Sequence, residues 1–245
     1  MGDLMRWFSN HEIQVYEKDR IYFVIIQHQK YFIKRLYSRL EYEISKELEI
    51  LSLPTFFKSK LFVSQSLEHD KNKKYDYMVT EEIKGECLLQ MLNRLTVKEL
   101  DDILQTIFFS LEQAWDILGF VHLDLHFGNI LIQKINEPII LERRLNSSKI
   151  SFFKKSIIVE KYMPVIFDFD ISITSSTKKN HSKTIWNDVW KVLGTLSLYA
   201  KDKKGQLILD YIEEFFIDRY EFQERKEEFA NQWFNVPPTS LKVMN

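Results

Sequence analysis

His122-Leu123-Asp124-Leu125-His126-Phe127-Gly128-Asn129 is the stretch from which the rest of the chain can be read. It sets a carboxylate, Asp124, five residues before an amide, Asn129, and it stands between two strong local signals. Ahead of it, Ile103, Ile107, Leu111, Ala114, Trp115 and Leu118 recur at helical spacing, and Gly119 closes the run. That helix has a readable start as well. Thr96-Val97-Lys98-Glu99 fits a capping box, in which the Thr hydroxyl and the Glu carboxylate satisfy exposed backbone N–H groups. Behind the stretch, Ile130-Leu131-Ile132 and Val165-Ile166-Phe167 are short apolar runs separated by a long polar segment, about residues 133–163. His122 reads as a buried histidine that packs the loop and does not move protons.

Working back toward the N-terminus, the pattern turns to strands. Ile13-Gln14-Val15-Tyr16, Ile21-Tyr22-Phe23-Val24-Ile25-Ile26 and Tyr31-Phe32-Ile33-Lys34 are β-branched or aromatic runs with polar breaks between them. From Tyr37 the spacing becomes helical through Leu40, Ile44, Leu48 and Leu51, and Pro54 stops it. Two further strands are expected around residues 61–63 and 75–80. Five strands with one helix after the third make a small lobe over residues 1–82. Residues 83–245 make a larger, mostly helical lobe, completed by helices at about 186–198 and 207–216. The fold class expected is therefore α+β and bilobal, with a ligand cleft between the lobes.

The bulk numbers are ordinary for a soluble globular protein. Of 245 residues, 45% are hydrophobic, enough for a sizeable core. The 34 basic residues are balanced by 35 acidic ones, which gives no indication of nucleic-acid binding. The single Cys87 excludes an intrachain disulfide and fits a reducing compartment. No apolar run approaches the roughly 18 residues a membrane span needs. Met1-Gly2-Asp3-Leu4-Met5-Arg6 lacks a signal-peptide layout, and Arg6 stands where a myristoylation start needs Ser or Thr. The chain is expected to be an intracellular monomer, cytoplasmic or nuclear and not secreted.

Moving a phosphoryl group requires phosphates held by cations, a metal held by hard oxygens, and a base beside the attacking hydroxyl. Asp124 and Asn129 match the Asp and Asn of the pattern H-R-D-L-x-x-x-N. Asp168-Phe169-Asp170, after its apolar run, matches a second metal-binding motif, usually D-F-G. Mg²⁺ takes hard oxygen ligands and keeps several waters, so one carboxylate and one amide suffice beside phosphate oxygens. In this order the residues resemble the protein-kinase superfamily, over roughly residues 13–200. The resemblance implies ATP and Mg²⁺ as cofactors, Asp124 as catalytic base, and Asn129 and Asp168 as metal ligands. It implies that Lys34, in Phe32-Ile33-Lys34, grips the α- and β-phosphates. Its partner is then a Glu on the following helix: Glu47, in Glu47-Leu48-Glu49-Ile50-Leu51, with Glu43 one turn earlier as the alternative. Met78-Val79-Thr80-Glu81-Glu82-Ile83-Lys84-Gly85 resembles the strand and hinge that hold adenine, with Thr80 as gatekeeper and the Glu81 carbonyl and Ile83 amide facing the base. Asp188-Val189-Trp190 resembles the start of the helix whose buried Asp braces the catalytic loop.

Within the superfamily the chain looks most like the haspin branch, which uses D-L-H-aromatic-G-N and lacks both the Gly of D-F-G and an A-P-E motif. That resemblance implies a Ser/Thr protein kinase acting on a protein hydroxyl, histone-like or otherwise basic. Leu123 replaces the Arg that pairs with a phosphorylated activation loop, so no switching of that kind is expected. Two other readings stand beside it. Small-molecule kinases of the aminoglycoside and choline type also carry H-x-D-L-H-x-G-N. A nucleotide-binding pseudokinase scaffold is suggested by the turn at residues 16–21, which has no glycine and offers only Lys18 and Arg20 as cations. The 133–163 insertion carries Lys134, Arg143, Arg144, Lys149, Lys154, Lys155 and Lys161 against Glu137, Glu142 and Glu160, and reads as a solvated loop or as a surface that steers an acidic partner.

Overall fold

The computed structural model describes residues 21–26, 29–36, 38–67, 70–143, 156–177 and 185–199. The expected strand at Ile13, the glycine-free turn at residues 16–20 and the expected helix at 207–216 lie outside the described residues.

β1 (Ile21–Ile26) and β2 (Gln29–Leu36) pair antiparallel, then the chain forms helix α1 (Leu40–Glu49), β3 (Leu61–Leu67) and β4 (Asp70–Glu81). The sheet order is β1-β2-β4-β3, antiparallel throughout. In this register Lys34 faces Met78 and Phe32 faces Thr80, so the lysine strand and the expected hinge strand are neighbours. α1 holds to the rest through one stripe, Glu41, Ile44, Ser45 and Leu48, spaced as a single helix face requires. It ends before Ser52, whose φ of 52° a continuing helix cannot accommodate.

Beyond Glu81, residues 82–85 lead to β5 (Glu86–Cys87), the short helix α2 (Leu88–Met91) and the long helix α3 (Val97–Leu118). The capping box of α3 is formed. Glu99 N–H donates to Thr96 Oγ1 at 3.2 Å, and Thr96 N–H donates to Glu99 Oε2 at 2.8 Å. Gly119 ends α3 in the left-handed region at φ 62°, where a side chain would also strike Ser175. β6 (Ile130–Lys134), directly after the 122–129 segment, pairs antiparallel with β9 (Tyr162–Ile166), and β5 completes their sheet in the order β5-β6-β9. Helix α4 (Ile185–Tyr199) closes the described chain.

Half of the insertion departs from the solvated-loop reading. β7 (Ile139–Glu142) and β8 (Ser156–Val159) form a hairpin whose inner face, Leu141 and Val159 with Met163, packs on Phe109 of α3. Its phase was hidden because Ile139-Ile140-Leu141 is apolar without alternation, although Ile140 and its cross-strand partner Ile158 face outward. Two of the basic residues there are neutralised by α3. Arg143 reaches Glu112 at 3.0 Å and Asp116 at 2.9 Å, and Lys161 reaches Glu99 at 2.5 Å.

The two lobes share a core. Ile44, Leu48, Leu51 and Phe56 from the first pack in one cluster with Leu111, Phe120, Phe127 and Phe169 from the second. A backbone bridge reinforces it, with Phe57 N–H donating to the Ile166 carbonyl at 2.9 Å and Ile166 N–H donating to the Thr55 carbonyl at 2.8 Å. Among the described residues no helix is long and apolar enough to cross a membrane.

The Arg143 anchor yields a stability prediction. Its side chain and that of Glu112 are 9% and 3% exposed, so Arg143→Ala leaves a carboxylate buried beside α3. Urea unfolding is expected to show a loss on the order of 3 kcal/mol. Adding Glu112→Gln should return part of it, because the stranded charge is then gone.

Candidate active site

The loop at residues 122–129 is held from behind by Asp188 in the first turn of α4. Its fully buried carboxylate accepts His122 N–H at 2.7 Å on one oxygen and Leu123 N–H at 2.8 Å on the other. Burial pushes this acid up to about 7, against the pull of the two N–H donors. The bonds fix a costly conformation, since Leu123 sits at φ 67°, where a leucine loses roughly 1 kcal/mol or more.

His122 is also fully buried. Its Nε2–H donates to the Phe167 carbonyl at 2.8 Å, so Nδ1 is the acceptor and takes the Asp124 N–H at 3.3 Å. Burial lowers its pKa to about 4, so the ring is neutral and structural. His126 performs a second local task. Its Nδ1 accepts Gly128 N–H at 3.0 Å, and a side chain on residue 128 would lie only 2.7 Å from the ring. The H-x-G spacing thus makes the turn that carries Asn129, whose side-chain N–H donates to the Asp124 carbonyl at 3.0 Å. That bond uses the amide nitrogen and not the oxygen a cation would take.

Asp124 itself is part-exposed toward the cleft, and Lys191 of α4 reaches its Oδ1 at 2.5 Å and the Leu123 carbonyl at 3.3 Å. Sequence reasoning missed Lys191. The signal was there, because it stands three residues after Asp188, one helical turn along the same face.

Opposite the loop, Lys34 stands among three carboxylates: Asp168 at 2.5 Å, Glu41 at 2.9 Å and Asp170 at 3.3 Å. Here the expectation for Lys34's partner is corrected. Glu41 takes the place assigned to Glu47, while Glu43 pairs with Arg39 at 3.1 Å and Glu47 accepts the Ser176 hydroxyl. The reason is helix phase. Glu41 shares the buried stripe with Ile44, Ser45 and Leu48, and Glu47 is turned roughly 120° away from it. Burial pushes the Glu41 carboxyl up to about 8, with the Asp170 carboxyl beside it adding to the rise and Lys34 opposing it. For Lys34 burial pulls downward, but Glu41 and Asp168 together hold the ammonium above its usual range.

Asp168 adopts φ 68°, and the neighbouring Phe167 N–H donates to the Asn129 carbonyl at 3.1 Å, which brings Asp168 and Asn129 side by side. Between the two acids, Phe169 is fully buried against Phe120 and His122, with ring centroids 5.9 and 5.6 Å away. On the next strand Thr80 is buried with its hydroxyl 3.5 Å from the Phe32 carbonyl, the Glu81 side chain turns out to Lys60, and Ile83 follows, half-buried. The structure therefore brings Lys34 and Asp168 together, ties Asn129 to the Asp124 backbone, keeps His122 and Asp188 buried behind the loop, sets Thr80 opposite Phe32 on the strand beside that of Lys34, and turns Glu47 to Ser176.

No family model matches the chain, and no curated protein does. Among solved structures, WaaP in complex with acyl carrier protein superposes with a TM-score of 0.52 at 12% identity, covering 91% of each chain. The Rad53 kinase domain with SCD2 gives a TM-score of 0.41 at 17% identity, over 66% of this chain and 51% of that one. The chain has an α+β, protein-kinase-like fold.

The neutral, buried His122 gives a pH prediction. An unfolded histidine titrates near 6.5 and the folded one near 4, so protonation favours the unfolded state as pH falls through that window. Stability should be fully present above pH 6.5 and should decline by an amount on the order of 3 kcal/mol by pH 4. Urea midpoints of the wild type and His122→Asn across this range check it, since the variant should lose most of that slope.

Proposed function

We propose that the protein is an ATP-dependent phosphotransferase and, within that class, a haspin-like Ser/Thr protein kinase. The observation that supports it most is the meeting of Lys34 and Asp168, 134 residues apart in sequence, at 2.5 Å. Lys34 would bind the α- and β-phosphates, and Glu41 keeps its ammonium aimed there. Thr80, the Glu81 carbonyl and the Ile83 amide would hold the adenine.

Asp168 and Asn129 supply the hard oxygens that Mg²⁺ takes, and the bound ion would neutralise phosphate charge. Asp124 would accept the proton of the attacking hydroxyl as the new P–O bond forms and the bond from the γ-phosphorus to the β,γ-bridging oxygen breaks, releasing ADP, and Lys191 fixes the orientation of its carboxylate. His122 and Asp188 hold the loop and take no proton from the acceptor. The acceptor class is a protein hydroxyl in a basic, histone-like segment, supported by Asp124-Leu125-His126-Phe127-Gly128-Asn129 and the D-F-D motif.

γ-Labelled ATP with Mg²⁺ tests this, offered with histones, a generic basic protein and small amino alcohols or aminoglycosides. Label in protein is expected from the wild type, reduced about 100-fold or more in Asp124→Asn. Label in the small acceptors alone would assign the enzyme to the small-molecule kinases. Saturable ATP binding with no transfer to any acceptor would assign it to the scaffolds.

Lys191→Ala separates positioning from binding. Its kcat is expected to fall about tenfold or more while KM for ATP stays within about twofold, because Lys191 pairs with the carboxylate of Asp124, the group assigned to the acceptor hydroxyl.

A further inference from the structure

We propose that Asp170 is a specificity-determining residue, which makes the Lys34 site accept a nucleotide only together with a divalent cation. This role rests on the reading of Lys34 as the phosphate-binding residue, and it gives a task to an acid that the phosphotransfer reading leaves unused. In D-F-G, the motif that Asp168-Phe169-Asp170 resembles, the third position is an uncharged glycine. Here a carboxylate stands there instead, 3.3 Å from the Lys34 ammonium. Its backbone is anchored on both sides. Phe169 is fully buried before it. After it, the fully buried Ser172 donates its N–H to the Phe169 carbonyl at 3.1 Å and its hydroxyl to the His122 carbonyl at 3.1 Å. The Asp170 backbone cannot move away from the lysine without breaking these buried contacts.

Distance and charge then decide what can bind. A phosphate oxygen accepting from Lys34 Nζ at about 2.9 Å lies no more than about 6 Å from the Asp170 oxygen. That is inside the roughly 8 Å over which charges act at physiological salt. The surroundings of the ammonium are already negative. The Glu41 and Asp170 carboxyls share a hydrogen bond, and so a proton, but the three acids still carry two negative charges against the single charge of Lys34. Free ATP brings further negative charge to this group, and repulsion by Asp170 opposes its entry. A divalent cation carried with the phosphates offsets that charge. A glycine at residue 170 would impose no such condition.

Equilibrium dialysis of radiolabelled ATP against the full chain, in EDTA and in Mg²⁺, tests the role of Asp170 with the wild type and Asp170→Asn. The wild type is expected to bind ATP about 100-fold or more tightly in Mg²⁺ than in EDTA. Asp170→Asn should bind metal-free ATP about tenfold or more tightly than the wild type, while its affinity in Mg²⁺ stays within about threefold. Adenosine, which carries no phosphate, should bind the two proteins equally to within about twofold, so that the gain belongs to charge and not to an altered pocket. No gain for Asp170→Asn in EDTA, or an equal gain for adenosine, would overturn the proposal. A tenfold loss in Mg²⁺ would overturn it too, since Asp170 would then be a metal ligand. Failure of both proteins to bind ATP in Mg²⁺ would instead overturn the phosphotransfer reading and the selectivity with it, so the two failures are distinct.

Discussion

The Lys34 ammonium, half-buried among Glu41, Asp168 and Asp170, is the interaction on which the cleft depends. Removing one partner from such a group strands charge in a low-dielectric setting, at a cost of several kcal/mol. The lysine comes from a β-strand, Glu41 from α1 and the aspartates from the segment after β9. One cation therefore fixes a sheet, a helix and a loop relative to each other. The shared apolar cluster beneath it, with Phe56, Phe120 and Phe169, gives that arrangement a rigid floor.

The segment at residues 122–129 answers to a separate constraint. Asp188 holds the strained Leu123 through two backbone N–H groups, and His122 fills the space between the loop and Phe167 while staying neutral. Both contacts are made by side chains of the described residues.

Much of this was legible because local chemistry and global position agreed. The capping box at Thr96, the stop at Gly119 and the apolar runs around Ile130 and Val165 each carry a one-dimensional signal, and each is where the fold needs it. The motif residues Asp124, Asn129, Asp168 and Asp188 were readable for their type and order. What the sequence hid was phase and long-range pairing. Glu47-Leu48-Glu49-Ile50-Leu51 resembles the usual surroundings of the lysine's partner, but the buried stripe Glu41, Ile44, Ser45 and Leu48 decides which glutamate meets Lys34. Lys191 acts across 67 residues, and its one local mark is its place a helical turn after Asp188. The insertion hairpin, apolar on both faces, gave no alternation from which its inner side could be read.

Calorimetric titration of the protein with ATP tests the central claim most directly, with and without Mg²⁺, for the wild type and Lys34→Met. The account predicts one saturable, Mg²⁺-dependent site whose affinity falls at least about tenfold in Lys34→Met. Equal affinity in the two proteins, or no saturable binding at millimolar ATP, would contradict it.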